Sequence, residues 1–518
     1  RQPESRTISP EQLATEVKSI YQGLTMVESK CRHVDKAQVA ALNDGAPLED
    51  IHFQALLALH RTLLHEHHDF FLASQHPMAT PALRKLAQKY TMTARMWKHG
   101  IHSFLELLRY RLPESLEYML AFIYTAYQMM CLLLETVPSY DETWIECLGD
   151  LARYRMAIED ECMQTREIWA GVARSWYTKA ADRSPTVGRL FHRLAILARP
   201  FAVQQLHLYS LSLTSVIPFL STRDSIQSLL DPMLARNDAT PMGIPENDVE
   251  FITAITIVFK RQKLDAFHHH ADKFLKSLDS SCQGMGQKWR DHGSFIAFTL
   301  VASLFDFGFD NPLRRLYHWG NLKRISEQNK PHAEDDTQGN PPAPTAWEPL
   351  QPLPPQDPET AKVSEYELFL TTHTFAVVLS RRCDRNCLPF VHVLCCFLYS
   401  LTSVPRTEFS IAYTSSANRI LEAQPWSALC DYANALDKSE REDASYQGPD
   451  FVRPEGGNGP LPEDFKLRGQ IYAAHGYYPG DWFEGKGMGV DDDECLIERA
   501  STSIIRAGRV LWLMHRLA

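Results

Sequence analysis

The sequence predicts an all-α protein, on three observations. Apolar residues recur at three- and four-residue intervals over most of its 518 residues, the period that covers one face of a helix. Alternating Val-, Ile- and Thr-rich runs joined by Asn-Gly turns, which build antiparallel sheets, are nearly absent. Prolines stand where helices have to begin or end, as at Pro113 and Pro138. Taken in order, the periodicity predicts helices over 10–42, 52–72, 82–112, 113–136 and 142–156. The run 118–134 is the longest apolar stretch, and it contains Thr125 and Gln128. It falls short of the ~20 apolar residues of a membrane span and reads as a buried helix. Ser221, followed by Asp224, opens a further helix in the manner of an N-cap with an acid in the first turn.

One segment carries a repeat signature. Ala173, Tyr177, Ala180 and Pro185 match the small–aromatic–small–proline pattern in the second helix of a 34-residue tetratricopeptide repeat. Leu194-Ala195 fall where the next repeat begins, and Leu148-Gly149 can supply the first helix of the repeat before. Small residues at these places let paired helices approach closely.

A chain of this length divides into two or three domains at roughly 100–200 residues each. The expected division is 1–240 and 245–518. The second part is interrupted by a flexible Pro-rich insertion at 327–360 and an irregular acidic region at 439–495. Aromatics in that region, Tyr477, Tyr478, Trp482 and Phe483, predict that part of it packs against the body. With 53 Lys and Arg against 63 Asp and Glu, the net charge of −10 argues against wholesale coating of nucleic acid. Eleven scattered cysteines without a secretory segment fit a reducing, intracellular setting. A chain that opens on Arg1 rather than methionine reads as a piece of something longer, whose targeting signals lie outside it.

Catalytic and metal chemistry find no support in the spacing. The His65-Glu66-His67-His68-Asp69 and His268-His269-His270 runs point in different directions around a helix, so a structural role competes with metal ligation and leads. Cys383, Cys387, Cys395 and Cys396 lack the spacing of a zinc ribbon and read as core thiols. The glycines of 485–489 have no phosphate-loop context, and the acids of 491–494 read as a solvated loop.

A basic face is different. Arg84, Lys85, Lys89, Arg95, Lys98, Arg109 and Arg111 lie in one stretch against the single acid Glu106. At 100° per residue Arg95, Lys98, His102 and Arg109 share one face, while Trp97, Ile101, Phe104 and Leu108 share another that packs inward. Arg153-Tyr154-Arg155 ends the helix that pairs with it if consecutive helices are antiparallel. Convergent Arg and Tyr donors suit a phosphate dianion; a cationic face also simply solubilises a helix.

The residues from Leu148 to Arg155, Tyr177 to Ala181 and Leu194 to Ala198 resemble the "ever shorter telomeres" and SMG adaptor family. Ser212-Leu213 with Ile217-Pro218-Phe219 continue the likeness, as do Met96-Trp97 with His99, and Leu461-Pro462-Glu463-Asp464 with Leu467-Arg468-Gly469. The resemblance runs from about residue 81 to the end and is most specific over 140–220. It implies 14-3-3-like antiparallel helices grading into tetratricopeptide repeats, followed by a helical-hairpin domain. It also implies a non-catalytic phosphoserine-peptide adaptor of nonsense-mediated mRNA decay, acting in cytoplasm and nucleus on a phosphorylated Upf-type RNA helicase, with a second adaptor as a further partner. The alternative it carries is a telomerase- or telomere-associated subunit that binds protein, telomerase RNA or single-stranded nucleic acid. No cofactor, catalytic residue, metal or membrane is implied. Carried over residue by residue, Arg153 and Tyr154 match the Arg-Tyr pair that holds phosphate in 14-3-3 proteins, and Arg109 matches a basic residue of the other phosphate-binding helix. The family's lysine is replaced by His102, with Lys98 one turn earlier within reach. Histidine donates from both nitrogens only when protonated, below about pH 6.5. His192 matches an Asn that contacts peptide backbone, against a reading as a core-edge histidine. Arg153 as the salt-bridge partner of Asp150 or Glu146 stays open beside its phosphate role.

Overall fold

The computed structural model describes residues 9–43, 50–199, 201–235, 243–328, 357–403, 411–439, 444–448, 450–453, 460–473, 477–484 and 500–518. The expectations for 485–489, 491–494 and most of the Pro-rich insertion fall outside these residues. Within them the chain is all-α, with two isolated β-bridges as its only extended pairings. It forms two compact units, Arg1–Ala180 and Ala181–Ala518.

In the first unit, α1 (Pro10–Asn43) and α2 (Asp50–Ser74) pair along their length, and α2 also packs on α4 (Leu116–Thr136). α4 is 21 residues long and apolar enough, by length and composition, to cross a membrane, which corrects the shorter span read from sequence. Its buried residues Met119, Phe122, Ile123, Ala126, Met129, Met130 and Leu133 fall at helical spacing and join one core with Phe70, Phe104 and Leu148. Tyr124 and Leu132 on its other face are exposed. Burial of one stripe, with the opposite face exposed, is the pattern of a helix that packs one side against the core.

The single helix expected over 82–112 is instead broken. Pro81–Arg84 and Leu86–Lys89 are isolated turns, and Thr91 takes a left-handed conformation at φ 48°. Met92–Arg95 then leads into a π-helical segment, Met96–His102, and α3 (Ser103–Tyr110). A π turn holds extra backbone per turn and rotates what precedes it, so the 100° projection fails there. Arg95 leaves the basic face for an ion pair with Glu28 of α1 at 2.9 Å, and Arg111 is buried. His60 fixes the same region: Nε2 meets Asp35 Oδ1 at 3.0 Å, Nδ1 meets the Gly100 carbonyl at 3.1 Å, and Ser103 donates to Asp35 at 2.8 Å.

α5 (Asp141–Ala157) and α6 (Met163–Arg183) hold the repeat signature. Ala173, Tyr177 and Ala180 are buried, and a Cβ on Gly149 would lie 2.5 Å from the Tyr177 ring. Glycine stands at that position because the aromatic of the pairing helix occupies the space of a side chain.

His67 of α2 is buried with both ring nitrogens unpartnered among the described residues. Burial, with Arg95 and His99 adding to it, pushes its titration down to about 3. The folded state therefore refuses a proton that the unfolded chain accepts near pH 6.5. Stability is complete above that pH and falls as pH drops toward 3, by up to about 1.4 kcal/mol per pH unit. Urea unfolding of wild type and His67→Leu, of similar volume, should show the variant losing less stability between pH 6.5 and 5; parallel losses would contradict this.

In the second unit, α7 (Gly188–Leu197) and α8 (Ala202–Thr214) form a hairpin. α9 (Glu246–Lys260) pairs with α10 (Phe267–Met285), and α11 (Trp289–Leu304) packs against α8, α13 (Pro358–Ser380) and α14 (Leu388–Thr402). Thr222–Ser225 and Gln227–Ala235 follow Ser221, which stands at the expected N-cap position with Asp224 in the first turn, though its side chain makes no capping bond. α12 (Pro312–Gln328), α15 (Ile411–Glu422), α16 (Trp426–Ser439) and α17 (Ala500–Leu517) complete it. Cys387, Cys395 and Cys396 are buried, but Cys383 is exposed at φ 64°, just beyond α13, where the chain turns and leaves it no core to enter.

Residues 460–473 return to the hairpin. Val216 donates to the Gly469 carbonyl at 3.1 Å, Ile471 to Thr214 at 3.0 Å, and Arg468 to the Asp182 carbonyl at 2.6 Å. A Cβ on Gly469 would lie 1.8 Å from the Pro185 carbonyl, so only glycine lets the two backbones meet. Just before it, Pro462 opens the helix Pro462–Leu467, and Asp464 accepts from the Leu461 amide at 2.9 Å. Glu463 accepts from Arg506 of α17 (Nε 2.6 Å, Nη2 3.0 Å) and meets His392 Nδ1 of α14 at 3.0 Å. Burial alone would raise the Glu463 titration, but Arg506 and His392 hold it below the ordinary carboxylate range. Tyr477 and Trp482 are buried here as expected, and they share with Phe451 the faces around the Arg509 guanidinium.

Candidate functional site

The first unit gathers four of the six expected site residues. Ile101, Phe104, Leu105 and Leu108 are buried, which turns His102, Glu106 and Arg109 outward at i, i+4 and i+7. On α5, Leu148, Leu151 and Ala152 are buried and place Arg153 and Tyr154 at the edge of the same core. The Tyr154 hydroxyl donates to Glu106 Oε1 at 2.7 Å, and Arg109 donates to Glu106 Oε2 at 2.6 Å. The Arg153 guanidinium lies 5.5 Å from the Tyr154 ring centre and 3.7 Å from Asp150, which accepts from the Tyr177 hydroxyl at 2.6 Å. The His102 ring meets Tyr154 edge-on at 6.4 Å. Lys98 is exposed one turn before His102.

His192 belongs to the second unit. There its Nε2 meets the Ser225 hydroxyl at 2.9 Å and its ring packs on Phe219 at 5.0 Å and Tyr209 at 5.9 Å. Those are the surroundings of a core-edge histidine.

The electrostatics follow from burial. Burial opposes charge on Arg153, but Tyr177, Asp150 and Tyr154 outweigh it and keep the guanidinium protonated. Burial, the hydrogen bond to Glu106 and that carboxylate's charge push the Tyr154 phenol up, so it stays a neutral donor. About half of the Arg109 side chain and a third of that of Arg153 face solvent. The cluster can therefore hold an anion, and it already holds one. Glu106 occupies both the Tyr154 and the Arg109 donor, a placement that its offsets of four from His102 and three from Arg109 foreshadow. Sequence reading counted Glu106 only as the lone acid among bases. Among the described residues no group of three or more His, Cys, Asp or Glu side chains is arranged to hold a metal.

This is an all-α protein of the 14-3-3-like and tetratricopeptide-repeat type. No family model matches it. Over 94 residues it is 33% identical to the Telomerase-binding protein EST1A of Danio rerio, covering 18% of this chain and 6% of that protein. Over 126 residues it is 26% identical to EST/SMG-like protein 2 of Saccharomyces cerevisiae, covering 24% of this chain and 10% of that protein. A chain in the crystal structure of Est1 and Cdc13 shares the fold, with a TM-score of 0.54 and 9% identity over 95% of both chains. Over these stretches the chain is similar to EST1A and EST/SMG-like protein 2, and it spans only a small part of the length of either.

Proposed function

We propose that this chain is a non-catalytic adaptor whose first unit receives a phosphoserine peptide on Arg109, Arg153 and Tyr154, with His102 and Lys98 at the edge. Nonsense-mediated mRNA decay is the setting, a phosphorylated Upf-type helicase the class of partner, and cytoplasm and nucleus the compartments. The observation that carries this reading is the convergence of Arg109 and Tyr154 from two helices on one carboxylate, with Arg153 beside them. Two donors that grip a carboxylate also fit a phosphate oxygen pair, and each charge-assisted bond is worth roughly 1.5–3 kcal/mol. His192 is proposed as a peptide-backbone contact only on the resemblance.

A second reading, a telomerase- or telomere-associated subunit, draws on the similarity to the Telomerase-binding protein EST1A and on the fold shared with a chain of the Est1 and Cdc13 structure. Exposed Arg84, Lys85 and Lys89 would serve nucleic acid there, with affinity falling steeply in salt.

Fluorescence anisotropy with a phosphoserine peptide and its unphosphorylated twin separates the readings. Binding is expected to require the phosphate and to weaken about tenfold or more in Arg153→Glu. Binding indifferent to phosphate and to Arg153, with salt-steep affinity for RNA, would transfer the conclusion to the second reading.

A further inference from the structure

The second unit contains a pocket of about 610 Å³, a volume suited to a small ligand or one long side chain. Its walls come from the end of α9, the turn at 306–308, the start of α12, the start of α13 and α15. Three arginines and four carboxyls line it: Arg261, Arg315 and Arg419 against Asp306, Asp310, Asp357 and Glu367.

The arginines are taken. Arg261 donates to Asp306 at 2.6 Å and to Thr360 at 3.1 Å, Arg315 grips Asp310 through both Nε and Nη2, and Arg419 lies 3.6 Å from Glu365 outside the pocket. The open valence is an acceptor. Glu367 is 4% exposed, and its Oε1 has no hydrogen-bond partner among the described residues. A buried carboxyl without a donor is costly unless it is neutral or paired. Burial first, and then the charge of Asp306, push the Glu367 titration well above the carboxylate range. The proton it keeps removes one negative charge from a pocket in which carboxyls outnumber arginines.

We propose that this pocket binds an alkylammonium or guanidinium cation, the head of a lysine or arginine side chain or of a free polyamine, with Glu367 as its principal acceptor and Asp306 beside it. The incoming cation replaces the proton on Glu367, so charge is conserved and one proton is released to solvent. Hydroxyls of Ser364, Ser415 and Ser416 line the pocket and accept remaining N–H groups. An anionic ligand is disfavoured because each arginine already has its carboxylate.

Isothermal titration of the full chain would use acetyl-Gly-Arg-Gly-amide, the same peptide with citrulline in place of arginine, and spermidine. Each titration is run in two buffers of different ionisation heat. The expected result is binding of the arginine peptide or spermidine with proton release, and at least tenfold weaker binding of the citrulline peptide. Tighter binding of the peptide assigns a basic side chain, and tighter binding of spermidine a free polyamine; both support the proposal. Glu367→Gln keeps the shape of the neutral carboxyl, so its thermal melt should match wild type while cation binding falls at least tenfold and proton release disappears. Ser415→Trp, at an exposed position on the wall, should block binding independently of charge. Equal binding by Glu367→Gln, equal binding of the citrulline peptide, or no cation binding at millimolar concentration would overturn the proposal.

Discussion

Replacing Glu463 with alanine is expected to destabilise the second unit by about 3–5 kcal/mol, the cost of removing one partner of a buried ion pair. Arg506 is 2% exposed and gives two hydrogen bonds to this one carboxylate, while His392, fully buried, gives a third contact. Removing the carboxylate takes both of these hydrogen bonds from a guanidinium that is buried. Urea unfolding followed by helical circular dichroism measures the loss. Part of it should return in Glu463→Ala combined with Arg506→Met, because an apolar pair costs less than a buried charge that has lost its carboxylate. A loss under about 1 kcal/mol in the single variant would mean that water reaches Arg506.

Glu106→Gln is expected to tighten phosphoserine-peptide binding tenfold or more while leaving the unphosphorylated twin unchanged. In the free protein Glu106 holds Arg109 and Tyr154, so a phosphate has to break two charge-assisted bonds and settle beside a carboxylate of like charge. Each such bond is worth roughly 1.5–3 kcal/mol, and the lower end applies because Arg109 is half exposed. Glutamine keeps an acceptor for Tyr154 and removes the negative charge. On the proposed function, competition of this kind would make Glu106 a discriminator: a dianion would displace it, and a single carboxylate of an ordinary acidic peptide would gain nothing by trying. Anisotropy on the same peptide pair reads the effect, and weaker or unchanged binding would place the phosphate away from Arg109 and Tyr154.

Much of the architecture was legible because periodicity is a local property. α1, α2, α4 and α5 begin and end within a few residues of where apolar spacing and the prolines put them. The repeat signature was legible for the same reason: Gly149 and Tyr177 are small and large because they touch, and the pattern states the contact. The break at 91 and the π-helical segment were not legible. Both depend on what Met96–His102 packs against, on Asp35, His60 and Glu28 from two other helices, and no helical projection contains those residues. Arg95 illustrates the consequence, since a cation assigned to the solvent face became part of an interior ion pair.

The motif Leu461-Pro462-Glu463-Asp464 shows the division most clearly. Its resemblance could be noted from the residues, but its purpose could not, because Arg506, His392 and Tyr478 come from distant parts of the chain. The sequence by itself determined the helical class and the repeat contacts, which follow from spacing along one helix or between consecutive ones, and its resemblance to a known family singled out Arg109, Arg153 and Tyr154 as candidates. Only the tertiary structure decided that Glu106 sits among those candidates, that His192 packs in the second unit, and that Glu367 Oε1 lies buried without a donor among the described residues. Charge balance in a buried cluster is set by which distant side chains arrive there, and one-dimensional spacing carries no record of their arrival.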